Sequence, residues 1–121
     1  LSSRRKTLAQ AIATMEGFYA SDNTRAKRNN NPGNIEYGSF AKRYGATGSD
    51  GRFAIFPDAA SGFKALEGLL LSPAYIQLTV AEAIAKYAPA NENDTKNYIA
   101  MVCEWTGLQP TSILGETEIF V

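Results

Sequence analysis

The stretch Met15-Glu16-Gly17-Phe18-Tyr19-Ala20-Ser21-Asp22-Asn23-Thr24-Arg25-Ala26-Lys27-Arg28-Asn29-Asn30-Asn31-Pro32-Gly33-Asn34-Ile35 joins an apolar helical pattern to an asparagine-rich turn. How it is read decides the fold. Upstream of it, Leu8, Ile12 and Met15 recur at helical spacing among the helix formers Ala9, Ala11 and Ala13. The spacing predicts an amphipathic helix over 3–16, capped by Ser2 or Ser3 and ended by Gly17. From Tyr19 to Asn34 the composition turns polar and loses its period, which predicts loop. Within Asn31-Pro32-Gly33-Asn34, proline fixes φ at the second position and glycine offers positive φ at the third, the requirements of a type II turn.

Downstream, Ile35–Tyr37 and Arg52–Phe56 read as two short strands, the second alternating Phe53 and Ile55. Gly45, Gly48 and Asp50-Gly51 supply turns between them, so a small irregular β-hairpin subdomain is expected over about 35–57. Asp58 caps a helix through about Leu71 with Phe63, Leu66, Leu69 and Leu70 inward, and Pro73 stops it. Thr79-Val80-Ala81-Glu82 is a capping box opening a helix to Tyr87. Asp94 caps a helix carrying Tyr98, Ile99, Val102 and Trp105, closed by Gly107. Ile113, Leu114, Ile119 and Phe120 dock the tail. The expectation is an α+β fold, mostly α, as a single domain over 1–121.

Composition narrows the chemistry. The chain has 121 residues, 45% hydrophobic and 20% charged, as expected of a globular protein, with one cysteine and no histidine. Without histidine there is no Ser-His-Asp or Cys-His pair, and the usual zinc ligand sets are missing. Proton transfer then falls to carboxylates, with Tyr or Lys in support. No metal and no cofactor is expected. No apolar run is long enough to span a bilayer. The start at Leu1, with no signal peptide ahead of it, leads us to expect a processed chain or a domain of a longer one. Residues 1–52 carry nine Lys/Arg against four Asp/Glu, and residues 53–121 three against eight. A basic half suits an anionic polymer, or is simply a solvated surface. No helix-turn-helix or RNA-binding signature accompanies it, so nucleic acid is not expected as a partner.

Glu16 breaks a local rule. It follows Ile12 by one helical turn and precedes Gly17, so its carboxylate stands at the helix end where exposed carbonyls disfavour negative charge. Phe18 and Tyr19 reduce its solvation further. Both effects favour the protonated form that a general acid needs. The bland alternative is an exposed helix-end glutamate. The Asn29–Asn34 run is first a turn, but its amides offer donor and acceptor together and suit N-acetyl and hydroxyl groups.

Met15-Glu16-Gly17-Phe18, Arg28-Asn29-Asn30-Asn31-Pro32-Gly33-Asn34-Ile35 and Phe53-Ala54-Ile55-Phe56-Pro57-Asp58 with Gly62-Phe63 together resemble the lysozyme-like superfamily. The likeness is to phage and bacterial peptidoglycan-cleaving domains, including glucosaminidases, and extends through Ser72-Pro73-Ala74-Tyr75 and Tyr87-Ala88-Pro89 over roughly residues 8–107. The resemblance implies a lysozyme-like fold and cleavage of the β-1,4 bond between N-acetylmuramic acid and N-acetylglucosamine, with Glu16 as general acid/base. It implies Tyr87 as a second catalytic residue near that acid, orienting or hydrogen-bonding the reacting acetamido group, although a core tyrosine at a helix end explains the residue equally well. Asn31, Asn34, Ile35, Phe56 and Asn91 are the expected substrate contacts. Phe56 stands where relatives carry tyrosine, and Asn91 also fits a helix-capping segment.

Two endings to the reaction are open. A hydrolase needs a second carboxylate, for which Asp22, Glu36, Asp50 and Asp58 are candidates; Asp50 reads better as a turn residue and Asp58 as a cap. A lytic transglycosylase needs only Glu16, because the sugar's own 6-hydroxyl closes a 1,6-anhydro ring. The single-acid reading comes first. A non-catalytic virion-structural or glycan-binding module and a chitin-cleaving relative are the alternatives. The expected setting is periplasm or cell wall, including carriage on a virion, with peptidoglycan glycan strands as partner and a monomeric domain.

Overall fold

Six α-helices, a two-stranded sheet and one 3-10 turn account for the regular structure of the computed structural model among its described residues, 5–117 and 119. The fold is α-rich, an α+β arrangement weighted towards helix. The chain forms two compact units: Ile12–Gly68, and a second made of the chain up to Ala11 with Leu69 onward.

Helix α1 spans Leu8–Met15 rather than 3–16. Its start is set by a reciprocal box at Thr7, whose hydroxyl accepts from Gln10 N (3.1 Å) while Gln10 Oε1 accepts from Thr7 N (3.0 Å). The residues before it have another use, since Lys6 N donates to Trp105 O at 3.0 Å. The expected caps Ser2 and Ser3 lie outside the described residues. At the other end Gly17 takes φ +87°, Phe18 N reaches Ala13 O (2.9 Å) and Gly17 N reaches Thr14 O (3.2 Å). This is a Schellman closure with Gly17 in the left-handed position after Glu16.

The expected loop from Tyr19 contains a short helix, α2 (Arg25–Arg28), capped by Thr24, and a second, α3 (Ser39–Arg43), interrupts the expected hairpin. Four or five residues are too short to display a period, which is why neither was legible. The strands are β1 (Gly48–Ser49) and β2 (Ala54–Ile55), paired antiparallel with Gly48 opposite Ile55 and Ser49 opposite Ala54. Ile35–Tyr37 contributes only an isolated bridge, Glu36 to Phe53. Along Phe53–Phe56, Ala54 and Phe56 turn inward, at 0% and 1% exposed, while Phe53 and Ile55 are half-buried. A period of two does not say which phase faces inward, and here the backbone bonds of Ala54 and Phe56 to the asparagine turn decide it.

Helix α4 (Ala59–Leu70) begins after Asp58, whose Oδ1 accepts from Ser61 N at 2.8 Å. It buries Ala65, Leu66 and Leu70, while Phe63 and Leu69 stay half-buried. In the Ile12–Gly68 unit the core also holds Ile12, Ala13, Ala26, Ile35, Ala41, Ala54 and Phe56.

In the second unit α5 (Val80–Tyr87) carries the expected capping box between Thr79 and Glu82. Helix α6 (Thr95–Thr106) is capped by Asp94 and closed by left-handed Gly107. Buried side chains here include Leu8, Val80, Ile84, Tyr98 and Val102. A 3-10 turn at Leu114–Glu116 and a bridge from Ile113 to Thr79 fasten the tail, burying Leu114 and Ile119; Phe120 lies outside the described residues. Among the described residues no helix is long and apolar enough to cross a membrane.

Candidate active site

The Schellman closure fixes where Glu16 leaves the backbone. Its side chain is half-buried, and its Oε1 accepts from Asn34 Nδ2 at 2.9 Å. Thr24 reinforces the corner: its hydroxyl donates to Gly17 O (2.8 Å) and accepts from Lys27 N (3.3 Å), tying the end of α1 to the start of α2. Thr24 is thereby the N-cap of α2, a helix too short to show a period in the sequence.

Asn34 is placed by the asparagine turn, which differs in kind from the expected type II. Asn34 N bonds Asn31 O at 3.0 Å, but positive φ falls on Asn30 (51°) and Asn34 (48°), not on Gly33. Asparagine is among the few side chains that enter the left-handed region readily. The turn sits directly against α4: a Cβ on Gly62 would come within 2.1 Å of Asn30 O and 2.6 Å of Pro32 Cδ. Glycine is needed there for close approach, not for conformation. Asn34 Oδ1 is also the one buried side-chain acceptor left without a hydrogen-bond partner among the described residues. Left-handed backbone and an orphaned acceptor are two costs carried by the residue that holds Glu16.

Asn31 is a brace. It is fully buried; its Nδ2 donates to Ile35 O and Ala54 O, each at 2.9 Å, and its Oδ1 accepts from Ile35 N at 3.0 Å. With both donors spent inside, its amide has nothing to offer a sugar, which corrects the substrate contact expected of it. Phe56, at 1% exposed, likewise presents no surface; its N donates to Asn29 O (2.8 Å) and its carbonyl accepts from Asn30 Nδ2 (3.2 Å). Ile35 is buried at 8% exposed. Of the expected contacts in this unit, Asn34 hydrogen-bonds the candidate acid.

The other carboxylates divide clearly. Asp50 Oδ1 accepts from Arg52 N (3.0 Å) and Phe53 N (2.8 Å), and Oδ2 accepts from Asn29 Nδ2 (2.9 Å) and pairs with Arg25 Nε (3.0 Å). The Arg52 backbone bond, then Asn29, Phe53 N and the Arg25 charge, hold its carboxyl down at about 2. Asp58 is held low by its bonds to Ser61 at the cap. Glu36 is exposed and paired with Arg52 Nε at 3.0 Å. Asp22 is exposed in the turn after Tyr19.

Tyr87 and Asn91 belong to the second unit. Tyr87 is half-buried at the end of α5, edge to face with Tyr75 at 6.4 Å, and Asn91 is exposed between α5 and α6. That unit also bears an open groove of about 460 Å³ lined by Ile76, Gln77, Ile113, Gly115 and Glu116, none of which was expected as a site residue. No protein-family model matches the chain, and no curated protein matches it significantly.

Proposed function

We propose that this chain is a lysozyme-like peptidoglycan-cleaving domain, acting as a lytic transglycosylase with Glu16 as its acid and base. The observation that carries the reading is the fixed helix-end carboxylate with one oxygen held by the Asn34 amide at 2.9 Å. Glu16 protonates the glycosidic oxygen as the C1–O bond breaks towards an oxocarbenium-like state, and the neighbouring acetamido group assists. The resulting carboxylate takes the proton of the sugar's 6-hydroxyl while O6 bonds to C1, closing the 1,6-anhydro ring. One protein carboxylate suffices, and its proton is restored.

The engagement of Asp50, Asp58 and Glu36 favours this ending over hydrolysis. Asp50 uses both oxygens in its turn and sits at about 2, Asp58 caps α4, and Glu36 faces Arg52. A carboxylate committed to four partners is poorly suited to draw a proton from water. Digestion of purified peptidoglycan followed by borohydride reduction tests the choice. Anhydro ends resist reduction and are the expected product; reducible ends would make the protein a hydrolase and return attention to Asp22 and Glu36. Binding without cleavage would make it a glycan-binding module.

A further inference from the structure

Tyr19 is 51% exposed, more than any other large apolar or aromatic side chain among the described residues. It lies three residues after Glu16, on a turn that is tightly tied. Ala20 N bonds Gly17 O at 3.2 Å, the Thr24 hydroxyl bonds the same carbonyl at 2.8 Å, and Lys27 Nζ donates to Ala20 O. Phe18 meets Tyr19 edge to face at 5.3 Å and 81°, and Phe63 backs Phe18 at 5.5 Å and 86°. A flexible exposed tyrosine needs no explanation, whereas a ring packed edge to face on Phe18, itself backed by Phe63, with about half its surface left open, is a wall.

From this arrangement we propose that Tyr19 is the platform of a sugar subsite adjoining Glu16, stacking its open ring surface on the apolar C–H face of a pyranose. The proposal rests on the glycan-cleaving reading and adds to it the residue that grips the strand. A pyranose presents hydroxyls at its rim and C–H groups on its faces, so a flat aromatic surface three residues along the chain from the acid is suited to recognise the ring while Glu16 works on the glycosidic oxygen. Recognition of this kind depends on the ring and not on the phenol hydroxyl.

The test measures binding of soluble glycan strands, freed of stem peptides by an amidase, to Glu16→Gln protein so that cleavage does not intervene. In that background Tyr19→Ala is expected to weaken binding about tenfold, the order set by covering half an aromatic ring. Tyr19→Phe and Tyr19→Trp are expected to bind as tightly as the parent. Tyr19→Ala binding unchanged, with the parent binding normally, overturns the platform while leaving the catalytic reading intact. Tyr19→Phe as weak as Tyr19→Ala overturns it too, because the hydroxyl is then the contact. No binding by the parent overturns both readings together. Thermal melts of each variant confirm that an exposed substitution has left the fold in place.

Discussion

Replacing Asn31 with alanine removes the amide that fastens the asparagine turn to β2. Three bonds are lost: two donated to Ile35 O and Ala54 O, and one accepted from Ile35 N. Ile35 O keeps a second donor, Ala54 N at 2.9 Å, so the groups stranded are Ile35 N and Ala54 O. Each buried, unpartnered backbone group costs about 1–3 kcal/mol, for a total of roughly 2–6 kcal/mol. Against a typical stability of about 5–15 kcal/mol that is a large fraction. In urea the unfolding midpoint should fall by roughly 1–3 M with little change in slope. Asn31→Asp is expected to be about as damaging, since it retains the acceptor for Ile35 N but turns oxygens towards two carbonyls. A loss below about 1 kcal/mol, accompanied by weakened glycan binding, would refute the brace and return Asn31 to the substrate surface.

Three further outcomes follow from the same geometry. Asp50 titrates at about 2 when folded against an ordinary 3.8, so its stabilisation is fully present above about pH 4 and lost as pH falls through about 2. Asp50→Asn should therefore flatten the stability-versus-pH curve across that window while sparing cleavage, as acid titration followed by circular dichroism would reveal. Gly62→Ala drives a methyl into Asn30 O and Pro32 Cδ, so the variant should lose several degrees of Tm or fail to fold, whereas an unchanged Tm would contradict the close approach. Asn34→Gly keeps the left-handed backbone but releases Glu16; kcat should fall on the order of 10²-fold with the melting temperature little changed.

Much of this was legible where the signal was local. Thr79 with Glu82, Asp58, Asp94 and Gly107 mark helix ends by side-chain chemistry, and each does so in the structure. Gly17 ended α1 as read, which is why Glu16 could be singled out before any coordinates. Short elements were not legible: α2 and α3 span about one turn each, too few residues for a period, and β1 is Gly48-Ser49, with no β-former in it. The roles within Asn29–Asn34 were also hidden, because its four asparagines differ only in what surrounds them. Asn31 became a fully internal brace and Asn34 the partner of Glu16, and nothing in the run itself distinguishes the two. The positive φ that proline and glycine led us to place at Gly33 went to Asn30 and Asn34 instead.

The claim that Glu16 drives a single-acid cleavage is tested most directly by mass spectrometry of peptidoglycan digested with the native protein and, in parallel, with Glu16→Gln. Glutamine can still accept the Asn34 amide bond, so the corner of the site should stay intact while the proton is withdrawn. Anhydro-muropeptides from the native protein, and none from Glu16→Gln, are the expected result. Cleavage products of equal yield from both proteins would contradict it, because the bond would then be broken without the carboxyl on which the reading depends.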